Sequence, residues 1–376
     1  MSKNISYYRK HVIPILFITV IVSLVYANSL KGSFQFDDSQ ILLRTNLHLS
    51  ELTLDSLIGS LYFTPDRENL YRPVPCLTLA LNYYFGKDDT FGYHMVNIVI
   101  HILCSIAVYI FLLKLLLIPG MRPAIAGRYH HQIACMAAFL FALHPIQTNV
   151  ATYIIQRMTS LAALFYLISF IGYIQFRMGT LRGQRNQTVK KTYASLFICL
   201  LSGLLAVLSK ENAAILPVLV ISADFLLFYP LLDPAAKKTT RKIYFIILLL
   251  LSCALAYVGP KYIYQWIEVY QTRDFTLFER LLTESRIIFF YIYLLLIPNV
   301  DLLNLNHDFS ISTGLISPPQ TLISIVGIIL LVGLAFRYRC KKNLISFAIV
   351  WYLGNLVIES TFIPLELIFE HRTYLP

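Results

Sequence analysis

Two adjacent carboxylates, Asp37 and Asp38, stand just after the first apolar run of the chain, in the stretch Phe34-Gln-Phe-Asp-Asp-Ser-Gln. Such a pair near a membrane surface can act as general base, can ligate a metal, or can cap the apolar segment that begins at Ile41. Arg72 follows within Tyr71-Arg-Pro-Val-Pro. Two close prolines would present its guanidinium rigidly to an anion, a contact with lipid headgroups being the plainer alternative. His94, Asn97 and His101, at i, i+3 and i+7, share one helical face. His101 then lies about 10 Å deeper than His94, and the three read either as a functional interior or as a hydrogen-bonded structural set. His144 opens His-Pro-Ile-Gln-Thr, Arg157 follows Gln156, and Lys210 and Glu211 sit in Ser-Lys-Glu-Asn. The final stretch carries Glu366, Glu370, His371 and Arg372, with an amphipathic interfacial helix as its alternative reading.

The elements that must position these residues are membrane helices. The chain has 376 residues, 57% of them hydrophobic and only 14% charged. Soluble domains carry about 25% charged residues, so an ordinary soluble enzyme is excluded, as are a disordered chain and a small disulfide scaffold. Of six cysteines, Cys104, Cys135, Cys199 and Cys253 fall in apolar runs, Cys340 in a basic patch and Cys76 in a polar loop, which is no disulfide framework. The net charge of +11 comes from Lys and Arg in short loops. That is the positive-inside pattern and calls for no nucleic acid.

A hydrocarbon core of about 30 Å takes roughly 20 apolar residues as helix. Runs of that kind lie at about 11–27, 93–118, 132–144, 158–176, 193–208, 213–229, 243–258, 320–336 and 343–358. Arg122 and Arg128, then Arg177, Arg182, Arg185, Lys190 and Lys191, then Lys237, Lys238, Arg241 and Lys242, and last Arg337, Arg339, Lys341 and Lys342 mark four cytoplasmic loops. Three runs would separate the last two loops if 283–298 crossed; the charges Glu279, Arg280, Glu284 and Arg286 make that run interfacial or re-entrant instead. The expected fold is an all-α polytopic bundle of about nine full spans plus one partial segment, in a single domain over 1–376. Its N-terminus is cytoplasmic, and two long external regions lie at 28–92 and 259–319. The sequon Asn186-Gln-Thr188 falls in a loop assigned to the cytoplasm.

An orientation taken from the basic loops alone gathers Asp37, Asp38, Arg72, His94, His144, Arg157, Lys210, Glu211, Glu370, His371 and Arg372 on one side. Isolated snorkelling residues would divide between both faces. A carboxylate pair with several cations suits a phosphate-bearing, lipid-linked substrate: the cations hold the phosphate while a carboxylate manages a proton.

In this order the motifs resemble those of the transmembrane and tetratricopeptide-repeat-containing O-mannosyltransferases and their bacterial relatives, within the C-type glycosyltransferase superfamily. They are the acid pair, Tyr-Arg-Pro-Val, the histidine-bearing helix face, His-Pro-Ile-Gln-Thr, Ser-Lys-Glu-Asn and Glu-His-Arg-Thr-Tyr-Leu-Pro. The resemblance covers 34–376. It implies an inverting glycosyltransferase of the protein O-glycosylation type, moving mannose or another hexose from a polyprenyl-phosphate carrier to a protein Ser/Thr or other hydroxyl at the periplasmic or lumenal face. By resemblance, Asp37 is the base and Asp38 its orienting partner or a metal ligand, in this order or the reverse. Arg72, Lys210 and Arg372 face the leaving phosphate, supported by His144, Arg157 and His371, with Tyr71, His94, Asn97, His101, Glu211 and Glu370 around them. A divalent metal at Asp37 and Asp38 is left open as cofactor. The expected partners are the bilayer, the lipid-linked sugar and an acceptor protein or glycan. The chain stops at Pro376, short of the family's repeats, so a compact form or a fragment is expected. The alternatives are a transporter or flippase of a lipid-linked saccharide, which would show paired polar mid-membrane helices where this chain has featureless runs such as 246–251, and an inactive truncated scaffold.

Overall fold

A computed structural model describes residues 2–119, 124–181, 189–340 and 342–376. Arg122, Arg182, Arg185, the sequon at 186–188 and Lys341 lie outside them. Among the described residues the chain is helical, with one isolated antiparallel bridge between Tyr62 and Leu70. It divides into two compact units, Met1–Ala214 and Ile215–Pro376.

The first unit comprises α1 (Ser2–Tyr26), α2 (Ser39–Leu43), α3 (Leu54–Gly59), α4 (Pro73–Gly86), α5 (Thr90–Leu116), α6 (Ala124–Leu143), α7 (Thr148–Ala151), α8 (Arg157–Leu181) and α9 (Val189–Val207). The stretch 28–92 is folded rather than an open loop, because α2, α3, α4 and 3₁₀ turns at Ala27–Lys31, Phe36–Asp38 and Thr45–Leu47 satisfy much of its backbone locally. Cys76, assigned from sequence to a polar loop, is buried on α4. Helix α5 is the centre of the unit and packs on α1, α6 and α8. It starts where the Asp89 carboxylate accepts the Phe91 N–H, a side-chain cap for an otherwise orphaned donor. Ile18 and Val22 of α1 meet Ile98, Ile102 and Tyr109 of α5 beneath Ala134, Ala138 and Ala142 of α6. The alanines repeat every four residues, so α6 offers a small-residue face on which neighbouring backbones approach closely. Gly172 does the same between α8 and α9: a Cβ there would stand 2.9 Å from the Ser195 carbonyl oxygen and 3.0 Å from the Cys199 nitrogen.

The second unit comprises α10 (Leu216–Leu227), α11 (Pro234–Tyr270), α12 (Leu277–Leu296), α13 (Gln320–Tyr338) and α14 (Asn343–Leu356). Helix α14 packs on α10 and α13, and α13 on α12. The Ser346 hydroxyl donates to the Ala335 carbonyl at 2.7 Å, tying α14 to α13. Helix α11 runs 37 residues, twelve beyond the apolar run at 243–258, and buries none of them. The tail, for which an amphipathic interfacial helix is the alternative reading, is irregular up to a single 3₁₀ turn at Glu370–Thr373, since the polar groups described below hold it.

Among the described residues, six helices are long and apolar enough to cross a membrane: those within His11–Lys31, Thr90–Leu116, Ile154–Leu181, Val189–Val207, Pro234–Tyr270 and Gln320–Tyr338. A seventh crossing arises if Tyr129–Leu143 and Pro145–Ala151, bent by 55°, count as one span. The nine full spans laid out from hydropathy differ at 213–229 and 343–358. There the helices α10 and α14 have 12 and 14 residues, too few for the roughly 20 that a straight crossing needs. Hydropathy sums apolar side chains and does not see where Ser209–Ile215 or the turn after Leu356 interrupts the backbone.

Candidate active site in the first unit

The acid pair lies in the 3₁₀ turn Phe36–Asp38. The preceding residue in that turn, Phe36, has φ of 43°, a left-handed conformation that a bulky L-residue adopts only when its surroundings impose it, at about 1–3 kcal/mol. Asp38 braces this turn. Its Oδ2 accepts the Gln35 N–H at 3.0 Å and its Oδ1 accepts the Ile155 N–H at 2.7 Å. The carboxylate therefore does not cap α2, where no side-chain cap bond forms. It locks its own turn and pins that turn to the segment before α8. Burial pushes the Asp38 carboxyl up to about 6; the N–H groups of Gln35, Ile155 and Ile154 pull it back and the Asp37 charge adds to the rise. Asp37 is half-buried, and its backbone N–H donates to the Tyr153 phenol oxygen at 2.8 Å. Burial raises that phenol above its ordinary range, with the Asp37 and Asp38 charges adding, so it stays protonated.

Arg157, the first residue of α8, is wholly buried. Its Nε donates to Asn97 Oδ1 at 2.7 Å, its Nη1 to the Thr78 carbonyl at 3.1 Å and to Asn82 Oδ1 at 2.5 Å, and its Nη2 to the Tyr93 carbonyl at 2.9 Å. All three nitrogens thus meet neutral oxygens, which makes the buried cation tolerable. Asn97 turns its amide nitrogen to the carbonyls of Tyr153 and Ile154, at 3.4 and 3.2 Å. A chain of contacts therefore runs from Arg157 through Asn97 to the turn that holds Asp37 and Asp38.

The next two residues of α8 carry the expected phosphate contacts. Met158 touches Arg72, and Thr159 Oγ1 accepts from Lys210 Nζ at 3.2 Å. Arg72 also has a positive φ, 41°, lies over the Tyr71 ring at 4.9 Å and grips Glu211, with Nε 3.0 and 2.9 Å from its two oxygens and Nη2 2.7 Å from one of them. Burial pushes the Glu211 carboxyl up, but the Arg72 hydrogen bonds and charge more than offset this and leave it below its ordinary value. Residues 153–159 are thus a spine that touches Asp37, Asp38, Asn97, Arg72 and Lys210. Sequence reasoning missed Tyr153, Ile155 and Thr159 in it; their one local signal is position, between His-Pro-Ile-Gln-Thr and Arg157.

The histidines brace backbone. His94 Nε2 bonds the Gly32 carbonyl at 3.1 Å, and His101 Nε2 bonds the Ala142 carbonyl at 3.0 Å. His144 Nδ1 accepts the Ile146 N–H at 3.2 Å, capping its own turn. In the second unit Glu370 accepts the Asn304 N–H and stands 2.9 Å from His307 Nε2. His371 stacks on Phe369, with ring centroids 5.0 Å apart. Arg372 donates to the carbonyls of Leu367 and Glu366 at 2.7 and 2.5 Å and faces Glu284 at 3.7 Å. Glu284 also pairs with Arg280 at 2.9 Å, and Arg280 in turn donates to the carbonyls of Thr361, Glu359 and Leu365. Burial pushes the Glu284 carboxyl up to about 7 against the pull of Arg372 and Arg280. Glu370 and Arg372 are thus held by polar partners of the second unit, and His371 packs on the Phe369 ring.

An integral-membrane helical protein with a buried arginine-and-acid cluster around the start of α8 is the class these features define. Its curated homologues are protein O-mannosyltransferases of the transmembrane and tetratricopeptide-repeat-containing family. Protein O-mannosyl-transferase TMTC4 of Mus musculus is 32% identical over 198 residues, 50% of this chain and 26% of that relative. Protein O-mannosyl-transferase TMTC3 of Mus musculus is 35% identical over 164 residues, 42% of this chain and 16% of the relative. Protein O-mannosyl-transferase F38B6.6 of Caenorhabditis elegans is 24% identical over 398 residues, 96% of this chain and 49% of the relative. The match spans about a quarter or less of the two mouse relatives and about half of the nematode one. No family model and no solved structure matches.

Proposed function

We propose that this chain is an inverting integral-membrane glycosyltransferase that moves mannose or another hexose from a polyprenyl-phosphate-linked donor to a protein Ser/Thr hydroxyl. Similarity to a protein O-mannosyltransferase over 96% of the chain carries this reading, and the braced acid pair supports it. Asp37 takes the acceptor hydroxyl proton as that oxygen attacks the anomeric carbon. The bond from this carbon to the phosphate oxygen breaks, and polyprenyl phosphate departs with the electron pair. Arg72 and Lys210 balance the charge that develops on the phosphate. Asp38, with both oxygens on backbone amides, orients Asp37, while Arg157 and Asn97 hold the spine. Arg372, His371 and Glu370 set the turn they occupy. In this reading the basic stretches at 122–128 and 177–191 lie in the cytoplasm with the N-terminus, and the acid pair at the periplasmic or lumenal face. A divalent cation would meet Asp38 oxygens that already accept N–H groups. Among the described residues no three His, Cys, Asp or Glu side chains gather around one ion position.

The test is sugar transfer from labelled polyprenyl-phosphate donors in membranes holding wild type, Asp37→Asn or Asp38→Asn at equal protein levels. Loss of a proton acceptor predicts a fall of about 10²–10⁴-fold for Asp37→Asn and a smaller fall for Asp38→Asn. Absence of donor consumption by well-expressed wild type across several sugars would overturn the proposal.

A further inference from the structure

The first turns of α11 carry a feature that glycosyl transfer does not use. Lys238, Arg241, Lys242, Phe245 and Ile246 line an open cavity of about 490 Å³. Their spacing, i, i+3, i+4, i+7 and i+8, puts all five on one helical face. The three cations are exposed, and among the described residues none of them enters an ion pair. Three like charges on two turns repel one another and call for a counter-anion. The neighbouring Lys237 is turned away over the Tyr229 ring, at 5.8 Å.

Below the cations the same face is apolar and open. Phe245 is 68% exposed, Ile246 53% and Leu249 49%, and no residue of α11 is buried by the rest of the chain. At 1.5 Å per residue, the distance from Arg241 to Cys253 along this face is about 18 Å, the reach of a fatty acyl chain. Cationic groups above a continuous apolar strip match one kind of molecule: an anion with a hydrocarbon tail. Arg241 offers a planar fork for phosphate oxygens, and the two lysines add point charges around it. A soluble anion would use the charges and leave Phe245, Ile246 and Leu249 in contact with nothing of its own.

We propose that this face of α11 is a binding site for an anionic phospholipid, its phosphate held by Lys238, Arg241 and Lys242 and an acyl chain lying along Phe245, Ile246 and Leu249. The full chain, purified in a neutral detergent, is titrated with phosphatidylglycerol or phosphatidylcholine, and bound lipid is counted by native mass spectrometry. Wild type should hold one phosphatidylglycerol at least tenfold more tightly than phosphatidylcholine. The triple variant Lys238→Gln/Arg241→Gln/Lys242→Gln should lose that preference while keeping its elution volume and thermal transition. Phe245→Ala/Ile246→Ala, which leaves the charges in place, should weaken phosphatidylglycerol severalfold. Equal retention of phosphatidylglycerol by wild type and the triple variant would overturn the site. So would displacement of the lipid by glycerol phosphate at equal concentration, which would assign the cations to a soluble anion.

Discussion

The backbone N–H of Asp37 and the phenol oxygen of Tyr153 meet at 2.8 Å although 116 residues separate them in the chain. The contact fixes the backbone of the proposed base itself, and it does so from a turn that Arg157 and Asn97 hold from behind. Under the proposed mechanism Tyr153 acts as a positioning residue, and its removal should change catalysis more than substrate binding.

Tyr153→Phe keeps the ring and deletes the acceptor, leaving a half-buried N–H without its partner, at a cost of about 1–3 kcal/mol. Transfer should fall roughly tenfold in kcat, with the KM for the lipid-linked donor nearly unchanged. A rise in KM at constant kcat would show that Tyr153 serves donor binding instead.

Asp38 makes stability depend on pH. Its folded value of about 6 lies above the ordinary 3.8, so the folded chain takes up this proton before the unfolded chain does. The stabilisation is fully present below 3.8 and is lost as pH rises through 6. Two pH units correspond to about 3 kcal/mol at most. In thermal unfolding in detergent, wild type should gain stability from this group on acidification from neutral pH toward 4, and Asp38→Asn should show a flatter profile. Parallel profiles would remove the assignment.

Arg157→Lys keeps the charge but cannot reach Asn97, Asn82 and the carbonyls of Thr78 and Tyr93 together. It leaves buried oxygens unsatisfied and an ammonium poorly solvated, so the transition should drop by an amount equivalent to about 3–5 kcal/mol. Unfolding measured on equal amounts of purified wild type and variant reads this out. A wild-type transition in Arg157→Lys would show that the guanidinium geometry is dispensable.

Glu284 stands between Arg280 and Arg372, and those arginines hold the carbonyls of residues 359–367. Glu284→Ala removes the carboxylate that Arg280 and Arg372 share and leaves Glu359 as a further negative charge acting on Arg372, whereas Glu284→Gln keeps an acceptor. Limited proteolysis within 359–373 should be fastest in Glu284→Ala, intermediate in Glu284→Gln and slowest in wild type. Equal rates would mean that the carbonyls alone hold the segment.

Much of this architecture is legible in the sequence, because membrane helices are written in local composition: long apolar runs at 93–118, 158–176 and 320–336 correspond to α5, α8 and α13. The acid pair, Arg72, Asn97 and Arg157 stood out for a related reason. A polar residue in or beside an apolar run must be satisfied by something. Composition also limited the span count, since a run of apolar residues records nothing about the backbone breaks that leave α10 and α14 short.

What composition could not say is which partner each polar group has. Arg157 meets Asn97 across 60 residues, Asp37 meets Tyr153 across 116, and Arg72 meets Glu211 across 139. Those pairings depend on how α4, α5 and α8 pack, which is set by side-chain shape across the interfaces and not by any local period. The sequence alone therefore determined that this is a helical membrane protein with an acid pair beside its first span. Only the tertiary structure decided that Asp38 is a brace, that Tyr153 holds Asp37, and that Arg372 lies within a buried cluster of its own unit.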